Sequence, residues 1–168
     1  MKGELAECGI FVLGTELDAS MKERLGDARR LADALGTSVC ALLMNAEADP
    51  VRVGEAGANH VVRASLENAG PATRIQVLFE FFASLRPRLV ICPGDPEGRE
   101  WAARLALALG WRHVSPALMC RAESFGIRLT SLSSCGRYSQ ESSLQPGEPA
   151  VITLRSGVAE ALRSPFPG

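Results

Sequence analysis

The sequence predicts an α/β fold: a doubly wound, mostly parallel sheet with antiparallel edge strands toward its C-terminal end. Three observations predict it. Up to Gly110, short apolar runs alternate with segments of helical period. The run at 38–44 is apolar almost throughout, as a strand covered on both faces is. Beyond Gly110, extended segments follow one another with no helical period between them, the pattern of antiparallel additions.

Residues 9–13 are the first strand. Ser20 then opens a helix, with Glu23 three residues on as the partner of a capping box. Met21, Leu25, Ala28, Leu31, Ala32 and Leu35 give that helix one buried face. Arg29 and Arg30 suit its C-terminal dipole, and Gly36 stops it. Residues 38–44 form a second strand, 51–57 a turn of helix and 60–63 a short third strand. A second long helix runs over 71–85, with Ile75, Leu78, Phe79, Phe82 and Leu85 on its apolar face, and Pro87 ends it. Residues 89–92 make the fourth strand. Asp95 caps a third helix, with Pro96 at its first position, Trp101, Leu105 and Leu109 as its stripe and Gly110 at its close. Strands are then expected over 117–122 and 127–132, joined through Phe125-Gly126, and over 150–154 after a Pro146-Gly147 turn. No linker divides the chain, so residues 1–160 read as one domain and 161–168 as a tail.

Composition narrows the function classes. The chain has 168 residues, 46% of them hydrophobic and 22% charged, and a formal net charge of −1. That balance speaks against a general binder of nucleic acid or anionic membrane. Of the eighteen basic residues only Lys2 and Lys22 are lysines, a bias read as coding preference. Cysteines at 8, 40, 92, 120 and 135 lack Cys-x-x-Cys spacing, and His60 and His113 are the two histidines, so no metal site is expected. Unpaired thiols, no signal-like N-terminus and no apolar run of about 20 residues together suggest the cytoplasm.

Gly94-Asp-Pro-Glu-Gly-Arg99 is the sharpest local feature. A strand-to-helix turn of this kind exposes backbone N–H groups, so Gly94, Gly98 and Arg99 are a candidate anion site. It is not a Walker loop, which has four residues between its glycines and then Lys-Ser/Thr. Asp95, Glu97 and Glu100 would also repel phosphate. The first turn, residues 14–20, lacks the Gly-x-Gly-x-x-Gly of dinucleotide binding. Cys135 lies in a polar stretch with no evident histidine partner, His113 suits a surface or capping role, and Asp95 with Glu97 lacks a partner base. No catalytic residue is expected, and the chain does not read as an enzyme.

The segment Arg88-Leu-Val-Ile-Cys-Pro-Gly-Asp-Pro-Glu-Gly-Arg-Glu-Trp-Ala-Ala-Arg-Leu-Ala-Leu-Ala-Leu-Gly110 resembles the electron-transfer flavoprotein alpha subunit, in its N-terminal domain. Leu31-Ala-Asp-Ala-Leu-Gly36, Gly54-Glu-Ala-Gly-Ala-Asn-His-Val-Val62 and Ala150-Val-Ile-Thr-Leu-Arg-Ser-Gly-Val158 extend the likeness, with Ser156 where the family has proline. Gly136-Arg-Tyr-Ser-Gln-Glu-Ser-Ser143 stands where the family has a tyrosine- and glycine-containing strand, with its usual pattern lost. The resemblance implies an adenine nucleotide alpha hydrolase-like, Rossmann-like sheet that packs against a beta subunit. It also implies that flavin binding belongs to a second domain, which is expected to be absent here because no flavin motif follows Val158. The implied role is an alpha-like docking and assembly module in an electron-transfer complex. FAD, with AMP as a further group, would then reside in a beta-like or flavin-carrying partner. Arg99, Arg137 and Arg155 are the partner-interface candidates. Two alternatives stand beside it: a domain that itself binds adenine nucleotide or flavin, and a truncated vestige without an electron-transfer role.

Overall fold

The computed structural model describes residues 2–44, 48–66, 68–124, 126–133, 138–155 and 157. Strands β1 (Cys8–Gly14), β2 (Ser38–Leu43), β3 (His60–Arg63), β4 (Leu89–Pro93), β5 (Arg112–Glu123), β6 (Gly126–Leu132), β7 (Ser139–Leu144) and β8 (Ala150–Leu154) join one sheet. Its order is β3-β2-β1-β4-β8-β5-β6-β7. The pairs β1–β2, β2–β3, β1–β4, β4–β8 and β8–β5 are parallel; β5–β6 and β6–β7 are antiparallel. The fold is therefore the doubly wound, mostly parallel sheet with antiparallel edge strands that the sequence predicts.

Helices α1 (Lys2–Ala6), α2 (Ala19–Leu35), α3 (Pro50–Glu55), α4 (Pro71–Leu85) and α5 (Pro96–Leu109) complete the described elements. Alternate residues of β1 face opposite ways, and both sets are buried. Ile10 and Val12 share a core with Met21, Leu25, Ala28 and Leu31 of α2. Phe11 and Leu13 share the other with Leu78 and Phe82 of α4 and Trp101 and Leu105 of α5. Double coverage is why β1, β2 and β4 are apolar on every residue but the glycines, the starting serine and the closing proline. Phe11, Phe81 and Phe82 meet edge to face, with centroids 5.2 to 5.8 Å apart. No helix among the described residues is long and apolar enough to cross a membrane.

Some expectations need correction. Ser20 does not cap α2. Asp18 does, its Oδ1 accepting the Met21 N–H at 2.6 Å, while Ser20 lies inside the helix and Glu23 accepts from Gly157 instead. β5 starts at Arg112 rather than 117, because Arg-His-Val-Ser-Pro carries no alternating apolar signal. His113 is therefore an exposed strand residue, paired with Val151, which is the surface role and not the capping one. α4 ends at Leu85, and the residue that turns the chain is Arg86, in left-handed geometry, ahead of Pro87. α1 and the polar β7 carry no periodic apolar signal and were not predicted from it. β8 does not extend the edge; it lies between β4 and β5. Cys135, Arg137 and the 160/161 boundary with its tail lie outside the described residues.

Candidate functional site

The chain runs outward from β1 through β2 to β3, and α4 then carries it back to β4 on the other flank of β1. The winding reverses between β1 and β4. In open α/β sheets the crevice at the C-terminal ends of such strands is the usual ligand site. Here the turns into α2 and α5 flank it.

Each helix start already holds a carboxylate. Asp18 caps α2, and Asp95 accepts the Gly98 N–H at 2.7 Å at the start of α5. Between them lies Arg24, only 4% exposed. Its Nη1 donates to Ser20 Oγ at 2.6 Å, and Nη2 reaches the Leu13 carbonyl at 3.5 Å. Its Nε is buried and has no hydrogen-bond partner among the described residues. Burial lowers the Arg24 pKa, while Asp18, Cys92, Asp95 and Glu23 act to raise it. The site thus sets one desolvated cation among three nearby carboxylates, and an added anion would meet their repulsion.

The exit from β8 crosses this crevice. A Cβ on Gly94 would stand 2.5 Å from the Leu154 carbonyl oxygen and 3.2 Å from Arg155 Cα. Two residues farther on, the Gly157 N–H donates to Glu23 Oε2 at 2.9 Å. Arg155 thus stands at the β4–α5 turn and Gly157 at the first turns of α2. Gly98 is also committed within the chain, since its Cβ would lie 2.4 Å from the Pro93 carbonyl oxygen. Both glycines of the candidate anion turn are required by backbone-to-backbone approach.

Arg99 is exposed in the first turn of α5 and Arg155 is exposed beside Gly94, so both stand at the C-terminal end of the β4–β8 pair. Neither makes an ion pair among the described residues. Their neighbour Glu97 is engaged with Arg74 at 2.9 Å, and Arg74 lies 5.9 Å from the Trp101 ring centroid. Burial pushes the Cys92 thiol up to about 12, against an opposing pull from Arg24, so it stays protonated and a poor nucleophile. Cys40 is likewise pushed up to about 12 by burial. Among the described residues no group of three His, Cys, Asp or Glu side chains gathers for a metal ion.

Sequence reasoning missed Arg24. A signal was present: Arg24 stands three residues after Met21 and next to Leu25, inside the stripe that α2 buries. A charge on such a stripe marks a buried polar contact.

Residues 13–166 match the family described as electron transfer flavoprotein domain. No curated protein matches the chain. Among solved structures, the crystal structure of the conserved protein TT1542 from Thermus thermophilus aligns over 61% of this chain at 21% identity, with a TM-score of 0.42. The aligned part spans 55% of that protein's own chain. The family match starts inside β1 and runs past β8, so it takes in both flanks of the crevice and the segment that crosses it. On that match, the chain belongs to the electron transfer flavoprotein domain family.

Proposed function

We propose that this chain works in electron transfer as an alpha-like docking and assembly module. In this reading the chain alone holds no flavin, and electrons pass through FAD carried by a beta-like or other flavin-bearing partner, with AMP as a further group the partner holds. The observation that carries it is the occupied crevice: the β8 exit presses on Gly94 and ties to Glu23, and Asp95 sits on the start of α5. A sheet filled in this way serves better as a surface than as a cradle. Arg99 and Arg155, exposed and without an ion pair among the described residues at one end of the sheet, supply charge for steering an acidic partner; Arg137 is the third proposed contact.

The test is to purify the chain alone and co-expressed with a beta-type flavoprotein. The chain alone is expected to be colourless and the joint preparation to be a yellow heterodimer. Arg99→Glu and Arg155→Glu are expected to slow its association at low salt. Stoichiometric flavin on the isolated chain, or no heterodimer, overturns the proposal.

A second reading has the crevice hold an adenine nucleotide or free flavin, with Gly94, Gly98 and Arg99 at its anionic end. The unpartnered Nε of Arg24 favours it. Thermal-shift measurements with AMP, ATP, FMN and FAD decide between the two: a saturable shift that Arg24→Met abolishes supports the second reading.

A further inference from the structure

At the other end of the sheet, where β4 and β8 begin and α4 and α5 finish, the surface forms a half-open pocket of about 350 Å3. That is within the size of small-ligand sites, roughly 300–1,000 Å3. Pro87, Leu109, Trp111 and Pro149 give it apolar walls, and Arg86 and Arg88 are the charged residues of its lining. Among the described residues no acidic residue lines it, and Glu148, between the lining residues Gly147 and Pro149, is paired with Arg112 at 3.4 Å. Neither arginine makes an ion pair or a side-chain hydrogen bond among the described residues.

The backbone of Arg86 adds a second observation. Three long helices end on a left-handed residue. α2 uses Gly36 at φ 64° and α5 uses Gly110 at φ 65°, but α4 uses Arg86 at φ 47° and ψ 57°. Arg86 is the non-glycine residue with positive φ among the described residues. A side chain there is conformationally unfavourable, and the last turn of α4 holds no basic residue, although a cation there would offset the dipole without strain. The strained position instead sets an arginine on the cavity wall.

Charge magnitude then selects the ligand. Two guanidinium groups contribute two positive charges. The ends of α4 and α5, both at this cavity, offset roughly half a charge each. About one positive charge is left, which matches a carboxylate better than a phosphate dianion. We propose that this cavity binds a small organic carboxylate with a flat apolar body, its carboxylate on Arg86 and Arg88 and its ring on Trp111. This site is separate from the crevice and does not rest on the docking function.

The two indole N–H signals of the full chain, from Trp101 and Trp111, report on it by NMR. Benzoate is the probe, with benzamide as its neutral counterpart and acetate as the charge without the ring. Benzoate is expected to shift the Trp111 signal saturably and leave Trp101, on the buried face of α5, in place. Benzamide and acetate are expected to bind at least about tenfold more weakly. Arg86→Gly is expected to keep or raise the melting temperature while weakening benzoate about tenfold, and Arg88→Met to weaken it similarly. A Trp111 signal that does not move, equal binding of benzoate and benzamide, or full binding by both variants overturns the proposal.

Discussion

Gly98 sits inside a helix, where alanine is ordinarily the more stable residue by about 0.5–1 kcal/mol. At this position the sign reverses. An added methyl would stand 2.4 Å from the Pro93 carbonyl oxygen and 2.6 Å from Pro93 Cβ, and neither belongs to a flexible side chain. Overpacking of this kind costs about 1–3 kcal/mol. Gly98→Ala is expected to lower stability in urea titrations by that amount, whereas Gly54→Ala, in α3 with nothing within 4 Å, is expected to hold or raise it. The same residues show what the sequence could reveal of the site. Its place was legible, because Gly94 and Gly98 bracket a strand-to-helix turn. Its contents were not. Contacts from Leu154 and Arg155 press on Gly94 from sixty positions away, and the place of Arg24 beside Leu25 on the buried face of α2 does not reveal its partners, Ser20 and the Leu13 carbonyl.

At the scale of the element, local grammar located helices better than it chose between competing caps. Ser20 with Glu23 satisfies the capping-box spacing, and Asp18 stands two residues ahead of it. The structure takes Asp18, which frees Ser20 to accept from Arg24 and Glu23 to accept from Gly157. Asp18→Ala is therefore expected to cost about 1 kcal/mol in thermal unfolding, and Ser20→Ala clearly less. Strands divide along similar lines. β2, β4 and β8 were readable because they are nearly continuous apolar runs with turn residues beside them, and β3 because two valines follow the Gly57-Ala-Asn turn. β7 was hidden from apolar patterning, although the family resemblance places a strand at 136–143, because Ser-Gln-Glu-Ser-Ser-Leu lies at an edge, where its ladder to β6 and one buried leucine hold it. β5 was half-legible: its first residues pair in parallel with β8 and its later ones antiparallel with β6, with a register break on each side near Ala117. No single alternation spans both partners.

At the scale of the molecule, the last strand in sequence completes the middle of the sheet. β8 joins the β1-to-β4 body to the β5–β7 arm, and every one of its residues is buried. Ile152, 0% exposed, touches the core that α2 shares, so Ile152→Ala is expected to cost about 2–5 kcal/mol. Val62→Ala, on the half-buried edge strand β3, is expected to cost well under that. If both halves depend on β8, circular dichroism and tryptophan fluorescence are expected to report one coincident transition in each variant. Separate transitions would show that the arm melts apart from the body.

The central seat of β8 also bears on synthesis. A ribosome that has just released β4 must add about sixty more residues before β8 is complete, roughly 3–12 s at 5–20 residues per second. Through that interval the nascent sheet keeps β4 unpaired on one side, and later β5 as well. Both are open to any other extended polypeptide nearby. A chaperone that shields exposed strands would find its chief substrate in this half-made protein rather than in the finished one.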